Sequence, residues 1–285
     1  MRTPKGAEAK TAKAMLKGAK AKAPKGAKAL ACALVLPLCV VLLWWALSAL
    51  KLVNPYLMPS PRKVLGAAKG LVLSGALLRH LGISLYRVIS GFALAVCIAL
   101  PGALVFYCVP PVKNLFRGIF EFVRATPPLA LIPLLILWMG IGEESKRAVI
   151  VLASFFPVFM NALSGFESID GRWLELSASL ELSFRRRLRW ILFPAALPQL
   201  VTGLRLGFGY SWRALLGAEL IASASGLGYL ITDAQEMARV DVVFVGILCI
   251  GTLGLVFDKL LRLAAGRFSP ADGSGPSAEE RNWNA

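Results

Sequence analysis

The sequence has little of what catalysis and metal binding require. Its 285 residues include a single histidine, His80, and 5 cysteines, none of them in a C-x-x-C pattern. Metal centres and histidine-based catalytic triads need several such side chains close together. We therefore expect no metal site, and enzymes are the function class that the sequence favours least.

A nucleotide-binding loop is also missing. The pattern G-x-x-x-x-G-K-[ST], whose backbone cradles nucleotide phosphates, does not occur in the chain. We therefore expect this chain to bind no ATP through a Walker A loop and to carry no cofactor of its own.

Apolar sequence, in contrast, is abundant. The chain is 57% hydrophobic with a mean hydropathy of +0.66, which is typical of an integral membrane protein. A helix needs about 20 apolar residues to cross the hydrocarbon core. This length predicts an all-α membrane protein with six transmembrane helices, at residues 30–50, 83–108, 115–139, 147–166, 197–223 and 242–263. Pro127, Pro128 and Pro133 predict a kink in the third.

Low-complexity segments flank the apolar part. Residues 1–29 repeat Lys, Ala and Gly with Glu8 as the one acid, and predict a disordered, basic cytoplasmic tail. Residues 269–285 are rich in Pro, Gly, Ser and charge and predict a second disordered tail. Residues 30–268 remain as the transmembrane domain. A basic tail can bind nucleic acid or acidic lipid headgroups. We favour the interpretation that its charge keeps this end of the chain on the cytoplasmic side of the membrane, and we expect no nucleic-acid partner.

The distribution of Lys and Arg predicts that both termini are cytoplasmic. In this orientation the inner segments include the basic tail and the arginine-rich insert 167–196. The outer segment 51–82 is an exception, because it contains basic residues and no acid. The opposite orientation places the whole basic tail outside, which the same rule disfavours more strongly.

The insert at residues 167–196 is the longest polar interruption between spans. Pro194 and Pro198 are expected to end any helix in it and to start the next span. Such a helix either docks into a groove on another protein or rests on lipid headgroups, and its pattern leaves both readings open. Its apolar residues recur every four positions, as in an amphipathic helix: Leu176, Leu180, Phe184, Leu188 and Leu192.

Several charged residues fall inside the predicted spans. Arg213 is nearest to the middle of its span and can line a path that attracts anions. Arg205 and Glu219 are further candidates for the path, although their spacing also suits side chains that reach towards the two membrane interfaces. We interpret Arg87 and Arg124 as structural.

Separate blocks of the sequence resemble one family. Glu175-Leu-Ser, Phe184 and the run ILFPAALP at residues 191–198 resemble the cytoplasmic EAA loop of ABC importer permeases. The order and spacing of the other blocks resemble the nitrate/sulfonate/taurine type of these permeases, over residues 55–265. They are 57–61 (LMPSP), 84–92 (SLYRVISGF), 126–134 (TPPLALIPL), 138–142 (WMGIG), 218–229 (AELIASASGLGY) and 241–247 (DVVFVGI).

The resemblance implies a type I ABC importer permease core in a bacterial inner membrane, paired with a second copy of itself. A cytoplasmic ABC ATPase dimer would bind ATP, and a periplasmic or lipid-anchored solute-binding protein would deliver the solute. The same resemblance places a coupling helix within residues 167–196 and puts the contacts with the ATPase at Glu175, Ser177, Glu181, Phe184, Pro194 and Pro198.

One position departs from the family pattern. The family has a glycine six residues after the loop glutamate, and this chain has Glu181. A side chain disfavours the left-handed backbone region by about 1–2 kcal/mol. Either the turn is built differently here, or coupling to the ATPase is weaker.

The resemblance implies import of a sulfonate, taurine, nitrate or similar anion. Uncharged or cationic vitamin precursors are an alternative within the same importer class. A secondary transporter that works without ATP is a more remote alternative, which predicts inverted repeats and mid-membrane acids that the sequence does not show. A scaffold protein with a basic tail leaves the ordered blocks unexplained.

Overall fold

The computed structural model describes residues 26–268, and the side chains of residues 35–263. The predicted tail at residues 269–285, and all but the last few residues of the tail at residues 1–29, lie outside the described residues. The chain divides into two units, residues 1–62 and 63–285, and each is described by itself. The first contains α1 (Gly26–Ala49), in which Trp44 donates a hydrogen bond from Nε1 to the Pro59 carbonyl at 3.1 Å.

The described part of the chain is helical throughout and contains no strand. This confirms the all-α class for these residues. The helices that follow α1 are α2 (Pro61–Leu73), α3 (Ala76–Cys108), α4 (Pro110–Ala125), α5 (Ile132–Met139), α6 (Glu143–Glu167), α7 (Gly171–Ser179), α8 (Phe184–Arg187), α9 (Phe193–Ile221), α10 (Leu227–Glu236) and α11 (Val240–Phe268).

Four helices of the described residues are long and apolar enough to cross a bilayer: Ala76–Cys108, Glu143–Glu167, Phe184–Ile221 and Val240–Leu263. The pair Pro110–Ala125 and Pro128–Met139 makes a fifth span if the two helices count as one. The described part of α1, Val35–Ala49, is a shorter apolar helix. The structure therefore gives four or five spans.

The predicted third span is not one kinked helix but two helices at 86°. The sequence Thr126-Pro127-Pro128 is the reason, because a residue before proline is pushed out of the helical region. Thr126 and Pro127 both have ψ of 123°. A 3₁₀ turn at Pro128–Leu131 then leads into α5.

Helix α6 is the centre of the second unit. Phe159 and Phe166 of α6 are each 1% exposed, and they pack with residues of α3 and α9. Glycines on α9 permit the close approach, because a Cβ on Gly203 would lie 2.7 Å from Asn161 Cβ, and one on Gly207 2.6 Å from a Val158 methyl group. The close packing of α3, α6 and α9 also fixes the relative positions of Arg87, Glu143 and Glu219, which these three helices carry.

Candidate functional site

The polar insert begins with α7, a short exposed helix. The Asp170 carboxylate caps it and accepts a hydrogen bond from the Arg172 N–H at 3.0 Å. Ser177 is 2% exposed, and its hydroxyl donates to the Leu174 carbonyl at 2.6 Å. Glu175 is exposed. Helix α7 therefore buries Ser177 and presents Glu175 to its surroundings.

A left-handed turn ends α7 at the position where the family has glycine. Glu181 has φ of 47°. The Leu182 N–H donates to the Ser177 carbonyl and the Glu181 N–H to the Ala178 carbonyl, both at 3.0 Å. These two bonds define a Schellman motif, in which glycine is the usual left-handed residue. The turn therefore has the backbone conformation that glycine usually adopts, and the Cβ of Glu181 adds steric strain to it.

Replacing Glu181 with glycine is expected to raise the free energy of unfolding by about 1 kcal/mol, because it removes the clash of the Cβ in the left-handed region. Thermal unfolding of the purified protein in detergent measures the gain. Glu181→Ala is the matched control, because alanine removes the charge but keeps the Cβ. Equal stabilisation by alanine would show that the backbone of this turn is not strained.

The prediction of one continuous amphipathic helix through the insert is wrong. The turn at Glu181 breaks the four-residue pattern, so Leu176 and Phe184 are exposed, whereas Leu192 is 1% exposed. Five large apolar side chains remain exposed around the turn and are here named the loop surface: Trp173, Leu176, Leu180, Phe184 and Trp190. Large apolar side chains left exposed around one turn of the insert indicate a contact site.

Pro194 and Pro198 do not end a helix, as the sequence analysis expected, because Phe184–Ile221 forms one long helix. A π-helical turn at Leu188–Leu192 precedes Pro194 and shifts the bonding, so that the Phe193 N–H donates to the Leu188 carbonyl. A π turn widens the helix and helps it accept a proline near its start. Both prolines thus lie in the first two turns of α9.

The two arginines predicted for the translocation path lie on one side of α9. Arg205 donates from Nε to the Asp258 carboxylate of α11 at 2.7 Å, and Arg262 pairs with the same carboxylate at 2.9 Å. Arg213 is exposed, with its guanidinium carbon 5.8 Å from the centre of the Tyr210 ring. Both arginines line a cavity of about 430 Å³ between α9 and α11.

Glu219, the third candidate for the path, belongs to a buried charge cluster at the other end of α9. It is 1% exposed, and Arg87 of α3 is 2% exposed. Arg87 donates to Glu219 at 2.8 Å and to Glu143, the first residue of α6, at 2.7 Å. The Ser84 hydroxyl donates to both Glu219 oxygens, at 2.8 and 2.9 Å. One arginine thus ties three spans together.

The same cluster holds the loop between α9 and α10. Arg87 donates to the Ser225 carbonyl at 2.6 Å, and the Gly228 N–H donates to Glu219 at 2.9 Å. Gly226 has φ of 111°, and a Cβ there would lie 2.2 Å from a Glu219 oxygen. Only glycine fits this position. Beyond the loop, a hydrogen bond to Asp233 raises the pKa of the Tyr229 hydroxyl.

The cluster brings together two blocks that the sequence analysis treated separately, residues 84–92 and 218–229. Arg87 was predicted to be structural, but its partner was not predicted. The signal was present in the pairing of an intramembrane arginine with an intramembrane acid, since each is costly alone. Among the described residues, no group of histidines, cysteines and acids is arranged to hold a metal ion.

Comparison with solved structures defines the class of fold. The chain superposes on a chain of the MetNI methionine ABC transporter in an inward-facing conformation with a TM-score of 0.58 at 16% identity, covering 66% of this chain and 93% of that one. The chain therefore shares its fold with a chain of an ABC transporter. The apolar helices of the described residues are consistent with a membrane-spanning chain of this fold.

Sequence comparison defines the family. The chain is 37% identical over 237 residues to the taurine transport system permease protein TauC of Escherichia coli (strain K12), covering 81% of this chain and 86% of that protein. It is 34% identical over 230 residues to the putative aliphatic sulfonates transport permease protein SsuC of Bacillus subtilis (strain 168), covering 81% and 83%. The chain belongs to the family of binding-protein-dependent transport system inner membrane components, which matches residues 91–270.

Family membership confirms several predictions. The chain is a permease component of an ABC transporter in the inner membrane and not an enzyme. A binding-protein-dependent ABC system also contains an ATPase and a solute-binding protein, so these are its partner chains.

Proposed function

We propose that this permease works as a pair of identical six-span subunits that import a small sulfonate-type anion, driven by an ATPase docked on the loop surface. The single observation that carries the coupling part of this proposal is the loop surface itself. Phe184 is 56% exposed and Trp190 70% exposed, on the two helical turns that precede α9. Exposed aromatic side chains are typical anchors of a protein interface.

The position of the insert fits a coupling role. Helix α6 ends at Glu167, where the insert begins, and the long helix Phe184–Ile221 begins within the insert and continues as α9. A movement of the insert would therefore reach α6 and α9, which pack closely on each other. Glu175 and Glu181 add exposed acids that can pair with basic groups of the ATPase, and Ser177, Pro194 and Pro198 hold the segment in shape.

Six spans and cytoplasmic termini complete the proposed topology. Helix α1 and the bent pair α4–α5 are each taken as one span, which adds two to the four long helices. The basic residues of the N-terminal tail and the arginines of the insert then lie on the same side of the membrane, as the positive-inside rule favours. The Arg87 cluster lies at the outer end.

The proposed substrate class follows from relatives and charge. TauC and SsuC are named for taurine and aliphatic sulfonates, and Arg213 is exposed beside a cavity. Arg205 and Glu219 are already engaged by Asp258 and Arg87, so Arg213 is the candidate with a charge left to meet an anion. Import of a non-anionic solute by the same machinery is the second candidate.

The docking proposal is tested by co-purification. The tagged chain is extracted gently from its native membrane, and the proteins that accompany it are identified and quantified. We expect an ATPase subunit in equal amount, and a yield at least about tenfold lower for the double variant Leu176→Ser with Leu180→Ser, because interface anchors carry most of the binding energy. Leu65→Ser with Leu73→Ser, also exposed but on α2, is the control and is expected to keep the ATPase. Equal losses in both would contradict docking on the loop surface.

Arg213→Gln is expected to lower anion uptake by about tenfold, since it removes a charge-assisted contact along the path. Uptake by cells that express the variant, measured for taurine, methanesulfonate and nitrate, checks this, with Arg213→Lys as the charge-preserving control. Unchanged uptake of every anion would remove Arg213 from the path.

A further inference from the structure

The bend between α4 and α5 opens a cavity of about 340 Å³. Thr126 and Pro128 at the bend form one wall, and residues of α6 and α9 form the others. The volume lies within the range of sites that bind small molecules. The bend thus leaves room for a solute within a single chain.

Four polar side chains line this cavity: Arg124, Thr126, Asn161 and Tyr210. The Thr126 hydroxyl donates to the Phe122 carbonyl at 3.2 Å, and the Asn161 amide donates to the Pro157 carbonyl at 2.8 Å. A side-chain amide has two N–H groups, so Asn161 keeps a second donor. The cavity therefore offers hydrogen-bond donors to a ligand.

Arg124 is the cation of the cavity, and no acid within the described residues pairs with it. The other cations on the same face of α4 have partners, since Arg117 pairs with Glu121 at 3.0 Å and Lys113 pairs with Glu167. An arginine in the middle of a broken span is costly unless water or an anion accompanies it. Arg124 is thus the one basic group on this face that is left to receive an anion.

A second cavity, of about 420 Å³, adjoins the first along α4. The two share Arg124, Phe156 and Met160. Arg117 and Lys113 line the second cavity together with aromatic side chains of α4 and α6. The two cavities therefore share a wall at Arg124, and the second is lined by the acid Glu121 as well as by basic groups.

We propose that Arg124, with Asn161 and Tyr210, forms an oxyanion-binding site inside each permease chain, at the bend of the broken span. The site holds the sulfonate or similar group of the transported solute while it passes along α4. This inference rests on the proposed function and deepens it. Arg213 does not line this cavity: it lines the one between α9 and α11, with its guanidinium carbon 5.8 Å from the centre of the Tyr210 ring.

The test measures protection of a thiol placed in the cavity. Met160→Cys is introduced into the full chain after its own cysteines are replaced, and the protein is placed in phosphatidylcholine nanodiscs. The rate of alkylation by N-ethylmaleimide is followed with methanesulfonate present, and with dimethyl sulfone as a neutral molecule of similar shape. We expect methanesulfonate to slow alkylation and dimethyl sulfone to leave it unchanged.

Variants assign the effect to Arg124. In Arg124→Gln the methanesulfonate concentration that gives half-maximal protection is expected to rise by about 10- to 100-fold. This is the change expected when one charge-assisted hydrogen bond is lost. Arg124→Lys is expected to keep most of the protection, and Arg117→Gln, on the same face, all of it. Absence of protection in the parent protein, or full protection in Arg124→Gln, would overturn the site.

Two further measurements separate the alternatives. Phosphatidylglycerol in the nanodiscs is expected to leave the protection unchanged, whereas a loss would assign Arg124 to a lipid headgroup and overturn a solute site. Co-purification of the ATPase with Arg124→Gln is expected to equal that of the parent protein. An Arg124 site that fails while the ATPase still co-purifies would leave the proposed importer standing.

Discussion

Replacing Glu219 with alanine is expected to lower the free energy of unfolding by about 3–5 kcal/mol, the typical cost of removing one partner of a buried ion pair. Glu219 is 1% exposed and accepts hydrogen bonds from Ser84, Arg87 and the Gly228 N–H. Without it, the buried Arg87 loses one of its two carboxylate partners, the buried Ser84 hydroxyl loses its acceptor, and the Gly228 N–H before the first turn of α10 loses its acceptor. Thermal unfolding in detergent, followed by loss of near-ultraviolet circular dichroism, measures the effect.

Glu144→Ala is the matched control for that experiment. Glu144 is 69% exposed and pairs with Arg147 at 3.0 Å, and exposed pairs contribute at most about 1 kcal/mol. The double variant Glu219→Met with Arg87→Met is expected to lose less than the sum of the two single losses, because neither charge is then left alone. Additive losses would show that Arg87 and Glu219 stabilise the chain independently.

Phe184→Ala is expected to weaken association with the ATPase by about 2–4 kcal/mol, the cost of truncating a central aromatic anchor of an interface. Phe184 stands at the start of the long helix, directly after the left-handed turn, with 56% of its side chain exposed. Truncation leaves the chain's own core intact, so its stability is expected to stay unchanged. Titration of the purified permease in nanodiscs with the purified ATPase, followed by fluorescence anisotropy, measures the affinity.

Phe122→Ala is the control, because Phe122 is 75% exposed but lies on α4, outside the insert. It is expected to leave ATPase affinity unchanged. A similar loss for both variants, or none for Phe184, would show that the loop surface does not bind the ATPase.

The apolar helices could be predicted closely from the sequence. Residues 147–166 were predicted for a span that the structure extends to Glu143–Glu167. The first turn of this helix was not predicted, because it contains Glu143 and Lys146, whose hydropathy is typical of solvent-exposed residues. In the folded chain Glu143 pairs with Arg87, and Lys146 is only 6% exposed. Hydropathy cannot register such pairing, because the partner is on another helix.

The turns of the candidate site were harder to predict. A four-residue apolar period continued through Glu181, since glutamate is a good helix former and no glycine marked the break. The left-handed turn forms there because the bonds from Leu182 and Glu181 back to α7 offset the steric cost. The family resemblance pointed to this position, whereas periodicity did not.

Long-range pairing was beyond a single sequence. Arg87 and Glu219 are 132 positions apart, and nothing in the spacing of either block indicates that they meet. The angle of 86° between the halves of the broken span was likewise hidden, although the prolines marked its place. Both features depend on how α3, α6 and α9 pack, which local patterns do not encode.

ATP is the energy source of the proposed importer. The complex that co-purifies with this chain is reconstituted into liposomes, a purified solute-binding protein of the same system is added, and uptake of labelled taurine is measured with ATP, with ADP and with an ion gradient alone. We expect uptake with ATP only, and no uptake when Phe184 and Leu180 are both replaced by serine. Uptake by this chain alone, driven by an ion gradient without ATP or ATPase, would contradict it and identify a secondary transporter.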